Sequence, residues 1–250
     1  MEQKLFSVSE LLSKSWDLYI KNFQKFYYPI LIMLAPYVLF YLIQYLGGPA
    51  AIMLMMILFA LMIFINLWIA IVLIDLVNQI YHNQPTDFNK MLETSFRKIP
   101  SFLLVALLNF LVILGGFILL IIPGIIFIVW YGFASYINIL EEKDNKGIAA
   151  LKSSKTLVQG RWLATFIRLM VPSLLIYLLV MIIVVALVYM LTGGNINTES
   201  YEQTILMNSI STIIFLILGP LFTALAVILY NNLKETKQET NKIENPQISQ

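Results

Sequence analysis

Six long apolar stretches divide this chain, and all sixteen Lys and Arg residues fall in segments that would share one side of a bilayer. Lys4, Lys14, Lys21 and Lys25 precede the first stretch, and Lys90, Arg97 and Lys98 separate the second from the third. Lys143, Lys146, Lys152, Lys155, Arg161 and Arg168 lie at the junction of the fourth and fifth. Lys234, Lys237 and Lys242 follow the sixth. The opposite connections carry no positive charge: Gly47-Gly48-Pro49, Pro123-Gly124, and a third that holds only Glu199 and Glu202. Basic loops mark the cytoplasmic side, so this pattern predicts six crossings with both termini cytoplasmic.

A helix needs about 20 apolar residues to cross the hydrocarbon. The stretches 26–46, 51–80, 102–122, 125–140, 162–191 and 204–231 meet or approach that length. The second and fifth exceed it and are expected to tilt or project. The fourth is short, which leaves a re-entrant hairpin through Pro123-Gly124 as the alternative to two full crossings. With 60% hydrophobic and 12% charged residues and a mean hydropathy of +0.83, the chain lies outside the range of soluble domains. Its charges are interrupted by apolar spans, so no nucleic-acid-binding surface is expected. It has no cysteine, which excludes disulfides, thiolate nucleophiles and Cys-based metal sites. A charged stretch of about 25 residues before the first apolar run does not suit a cleavable signal peptide, so the first span reads as an uncleaved anchor.

Three of the basic segments share a design. Ser7-Val-Ser-Glu10 has the form of a capping box, and Val8, Leu11, Leu12, Trp16, Tyr19, Phe23 and Phe26 recur after it at helical spacing. Such a helix suits the headgroup region, and segments 86–98 and 145–159 are similar. Leu11-Leu12-x-x-Ser15, Met91-Leu92-x-x-Ser95 and Ala150-Leu151-x-x-Ser154 align without gaps. The expected fold is all-α and integral to the membrane. It comprises three parallel repeats (about 5–80, 86–141 and 145–231) of an interfacial amphipathic helix plus a transmembrane hairpin. Residues 232–250 are polar and are expected to be a disordered cytoplasmic tail after a membrane domain at 1–231.

The run Ile121-Ile-Pro123-Gly124-Ile125-Ile-Phe-Ile-Val-Trp130, then Glu141-Glu142 and Ala150-Leu151-Lys-Ser-Ser154, resembles a bacterial family. This is the membrane-domain family attached to some glycerophosphoryl diester phosphodiesterases, with its stand-alone six-span relatives. Ser15-Trp16, Asn22-Phe23 and Leu229-Tyr230-Asn231-Asn232-Leu233 are similar too. The resemblance implies a protein of the bacterial plasma membrane. The hydrolytic activity of that family belongs to a soluble domain that is not present here, and no catalytic residues carry over.

No catalytic, cofactor or metal site is expected. The single histidine, His82, reads as a solvated loop residue. Asp75, with Asn78 and Gln79 a turn further on, and Arg168 are the candidate intramembrane polar groups, because ionisable residues in spans are costly. They are either a gated pair on a polar path or a snorkelling arginine and a hydrogen-bonded carboxylate. Asn66, Asn109 and Asn208 read as interhelical packing groups, and Thr212, Gly219, Thr223 and Ala226 as a helix-contact stripe or a hydroxyl-lined path. Gly115-Gly116 reads as a close-packing or flexible point.

These residues suit three functions. The first is a non-catalytic structural, accessory or lipid-associated envelope protein, whose partners are membrane lipids and other membrane proteins. The second is a transporter, resembling in outline the three-hairpin mitochondrial carriers. Pro36 and Pro172 lack the charged residues that form the gate of those carriers, so only another transport mechanism fits. The third is a headgroup enzyme built on Glu141-Glu142-x-Asp144, a cluster that reads more simply as a solvated face.

Overall fold

The computed structural model describes residues 5–44, 48–141, 146–195 and 200–244, with side chains as far as residue 238. It contains helices and no strand among those residues. In chain order they are α1 (Val8–Lys21), α2 (Phe23–Gln44), α3 (Gly48–Tyr81), α4 (Phe88–Leu119), α5 (Ile121–Tyr131), α6 (Ala134–Leu140), α7 (Ile148–Val158), α8 (Trp162–Leu191) and α9 (Tyr201–Glu244). Six helical stretches have the length and apolarity of membrane spans, the fourth being α5 and α6 together over Ile121–Leu140. At 1.5 Å per residue α5 and α6 measure about 16 and 10 Å, on either side of a break at Gly132-Phe133.

Local chemistry sets the helix ends. The Ser7 hydroxyl accepts from the Glu10 amide at 3.1 Å, as the capping sequence predicts. Asp87 caps α4 through the Lys90 amide at 3.1 Å. The α4–α5 hairpin turns at a single extended residue, Leu120, with φ −167° and ψ 159°. Pro123 fits the first turn of α5, where a backbone donor would have no helical partner. The hairpin then closes very tightly. A Cβ on Gly116 would lie 3.1 Å from the Gly124 Cα, and one on Gly124 would lie 2.5 Å from the Phe117 ring. Gly115 has open space around it, so the close-packing glycine of that pair is Gly116.

The core lies toward the end that carries the basic segments. There, α3 buries Ile69, Val72, Leu76 and Val77 against Phe26, Ile30, Leu221 and Ala224. A second cluster joins Leu11, Val129, Phe133, Ala150, Val158, Ile228 and Leu229. At the opposite end the hairpins keep small separate cores, Ile43 with Ala51 and Leu58, and Val180 with Val184 and Val188. The apolar side chains exposed there, such as Met56 at 70% and Ile182 at 67%, belong to spans and suit contact with lipid chains.

One expectation is overturned. Instead of becoming disordered at Asn232, α9 continues without a break to Glu244. Leu233 is fully buried in the second cluster, and Thr236 and Asn232 are buried beside it. Arg161 donates to the Thr236 hydroxyl at 2.7 Å and to the Leu233 carbonyl at 3.2 Å. Lys237 donates to the Thr156 carbonyl. Between Asn232 and Lys237, its polar residues bond back to Phe6, Glu141, α7 and the α7–α8 junction. Residues 245–250 lie outside the described ones.

Candidate functional site

The three signature serines are all fully buried. Each is the middle of a buried stripe at four-residue steps: Leu11-Ser15-Tyr19, Met91-Ser95-Ile99 and Ala150-Ser154-Val158. In each case the stripe faces a preceding or distant span. α1 lies against α9, α4 against α3, and α7 against α5 and α6. Serine is small enough to let helices approach, and its hydroxyl can be satisfied by a carbonyl. Ser15 donates to the Leu11 carbonyl at 2.7 Å. Ser154 donates to the Trp130 carbonyl at 2.7 Å and accepts from the Phe133 amide at 3.2 Å, bridging the break between α5 and α6. The Ser95 hydroxyl is buried with no hydrogen-bond partner. Tyr19 donates to the Ile217 carbonyl at 2.8 Å, and burial raises its pKa to about 12, so it remains a donor at neutral pH.

Asp75 and Arg168 do not form a pair. Arg168 Nε donates to the Phe6 carbonyl at 2.6 Å and its Nη1 to the Ala164 carbonyl at 2.9 Å. The Phe6 amide in turn donates to Asn232 Oδ1 at 2.9 Å. Arg168 and Asn232 therefore clamp both backbone groups of one N-terminal residue onto α8 and α9. Asp75 instead lines a polar cleft of about 750 Å³ with Gln79, Lys90, Thr94 and Lys98. No ion pair joins it to either lysine, and Lys98 donates to the Ile139 carbonyl at 3.2 Å. Asn78 meets α9, accepting from Asn231 Nδ2 at 3.0 Å.

The acidic exit of the fourth span is also tied into the fold. Glu141 accepts from the Tyr230 hydroxyl at 2.7 Å and pairs with Lys234 at 2.8 Å. It is a latch between α6 and α9, where a solvated face was the simpler expectation. Glu142 and Asp144 lie outside the described residues. Burial lowers the pKa of Arg161, the cation beneath the end of α9. His82 is exposed, its ring edge-on to Tyr81 at 5.1 Å. Among the described residues no three His, Asp or Glu side chains gather as a metal site.

Among the described residues, two of the cavities lie within the spans. One, of about 570 Å³, runs from Ser9, Ser13 and Trp16 on α1 along Leu175, Leu179 and Ile183 of α8 and Ile214 and Leu218 of α9. The other, also about 570 Å³, lies among α2, α3 and α9 and gathers Asn66, Asn208 and Thr212, which are far apart in sequence. The small-residue stripe on α9 is not one contact surface. A Cβ on Gly219 would meet nothing, and the buried face of α9 is Leu221, Ala224, Leu225 and Ile228. No family model matches the chain, no curated protein is similar to it, and no solved structure matches its fold.

Proposed function

We propose that this chain is a non-catalytic, lipid-associated protein of the bacterial plasma membrane, with six crossings and both termini in the cytoplasm. On this reading it is built from three parallel repeats of an interfacial amphipathic helix plus a hairpin, related to the stand-alone membrane domains it resembles. The three buried Leu/Met/Ala–Ser stripes support the repeats, because the same positions are buried each time. The latches at Arg168 and Glu141 support a structural use for the buried charges. They hold helices together and leave no gated pair for a transport path.

The groove between α1, α8 and α9 carries the lipid reading. Its wall is apolar over Leu175, Leu179, Ile183, Ile214 and Leu218, and its mouth has the Ser9 and Ser13 hydroxyls and the half-exposed Trp16. A groove on a span lies in hydrocarbon, and an apolar slot there with a hydroxyl mouth suits one acyl chain with its headgroup at α1. Lys14 and Lys21 of the same helix are paired with Glu10 at 3.7 Å and Asp17 at 3.2 Å, so the reading rests on the groove itself. Leu179 lines the slot and is 58% exposed, so Leu179→Trp fills it without entering the core. Native mass spectrometry of the purified protein is expected to show a retained diacyl phospholipid that Leu179→Trp releases at unchanged melting temperature. A protein free of phospholipid before the substitution overturns the reading. Saturable solute flux in proteoliposomes would replace it with transport.

A further inference from the structure

The second cavity has a different chemistry. The cavity between the α2–α3 hairpin and α9 is lined by the carboxamides of Gln44, Asn66 and Asn208 and the hydroxyls of Tyr37, Tyr41 and Thr212. From Gln44 to Met33 the lining descends along α2 for about 16 Å. Below it, Ile30, Ile69, Val72 and Leu221 are packed in the main core. The cavity is therefore a vestibule closed toward the basic end.

Polar side chains in spans are ordinarily explained by bonding to one another across helices, with a typical gain of about 0.6 kcal/mol. Here that explanation covers only part of the lining. Tyr41 and Thr212 share a hydrogen bond of 2.9 Å, and Asn66 donates to the Tyr37 hydroxyl at 3.3 Å and to the Met62 carbonyl at 2.7 Å. Gln44 and Asn208 make no hydrogen bond among the described residues, although each carboxamide offers two donors and an acceptor oxygen. Asn208 is exposed and Gln44 half-buried at the cavity wall, so their donors and acceptors stand open to a ligand.

From this we infer that the cavity binds a neutral, polyhydroxylated group, a sugar or polyol. Among the described residues no Asp, Glu, Lys or Arg lines it, so a phosphate, carboxylate or amine would enter without a counter-charge from them. Carboxamides and hydroxyls both donate and accept, which matches the C–OH groups of a pyranose. The rings of Tyr37, Phe40, Tyr41 and Phe215 supply faces for its C–H surfaces. The volume falls within the range of small-molecule sites. The ligand is either the glycosyl headgroup of a neutral membrane lipid or a free saccharide, since both present the same hydroxyls.

The full-length protein in nanodiscs tests this with three probes: diglucosyl diacylglycerol, free maltose, and phosphatidylglycerol as the anionic comparison. Native mass spectrometry reads the lipids and calorimetry reads maltose. Retention of the glycolipid above phosphatidylglycerol assigns the site to a headgroup, and heat of binding with maltose assigns it to a free solute. Each of Gln44→Ala and Asn208→Ala is expected to weaken that binding roughly two- to tenfold with the melting temperature unchanged. If neither sugar probe binds, or both variants bind as well as the parent, the inference is wrong. Leu179→Trp separates this site from the phospholipid groove, because it leaves sugar binding unaltered.

Discussion

Arg168→Gln isolates the N-terminal clamp. The substitution removes the charged donor that holds the Phe6 carbonyl at 2.6 Å, while the Asn232 bond to the Phe6 amide at 2.9 Å remains. Hydrogen bonds from charged groups contribute about 1.5–3 kcal/mol, and Arg168 is half-exposed, which places this one near 1.5–2 kcal/mol. Opening of the segment around Phe6 should then become about ten- to thirtyfold more populated. The chain has no cysteine, so Leu5→Cys provides a single thiol beside the clamp. Its rate of maleimide labelling in membrane vesicles tracks the open population when closing is fast. Arg168→Gln is expected to raise that rate by the same ten- to thirtyfold, and Asn232→Ala by about fivefold for a neutral bond near 1 kcal/mol. Asp75→Asn should leave it unchanged, because Asp75 faces the α3–α4 cleft. Equal labelling in the parent and Arg168→Gln would refute the clamp. A matching increase with Asp75→Asn would restore the gated-pair reading of these two residues.

The tight hairpin makes a second test. Gly116→Ala and Gly124→Ala each drive a methyl into Phe127 or Phe117, and overpacking of this kind costs about 1–3 kcal/mol. Both should lower the thermal midpoint in detergent, while Gly115→Ala, with open space around it, should not; equal effects at all three positions would count against the packing. Orientation can be read with His82→Cys and Asn195→Cys, both at exposed positions on opposite ends of the spans. A membrane-impermeant thiol reagent on intact cells is expected to label Asn195→Cys alone, and labelling of His82→Cys would invert the topology.

What could be read without the structure follows from how far each constraint reaches. Hydrocarbon cannot hydrogen-bond to a backbone, so a span must be a long apolar helix, and a run of 20 residues carries that information by itself. The signature serines were visible as a recurring pattern, but their burial was not. Leu11, Ser15 and Tyr19 lie four residues apart and share one face of a helix, and only the packing of α1 on α9 buries that face. The end of α9 was not legible in this way. Its Lys, Thr and Asn residues look solvated on their own helix, and only Arg161, Glu141 and the Phe6 backbone turn them into internal contacts.

Arg168 shows the same limit more sharply, because its partner is a main-chain carbonyl 162 residues away. No side-chain pattern announces a backbone acceptor, and the one acid that the apolar stretches offer as a partner is Asp75. The second cavity lies between these cases. Asn66, Asn208 and Thr212 were each visible as polar groups in apolar spans, and each alone is adequately explained as interhelical glue. Glue requires the groups to find one another. Tyr41 and Thr212 do, whereas Asn208 and Gln44 come to the same space and stay unbonded among the described residues. Convergence without pairing is a property of three helices together, and it is what separates a binding cavity from a packing contact.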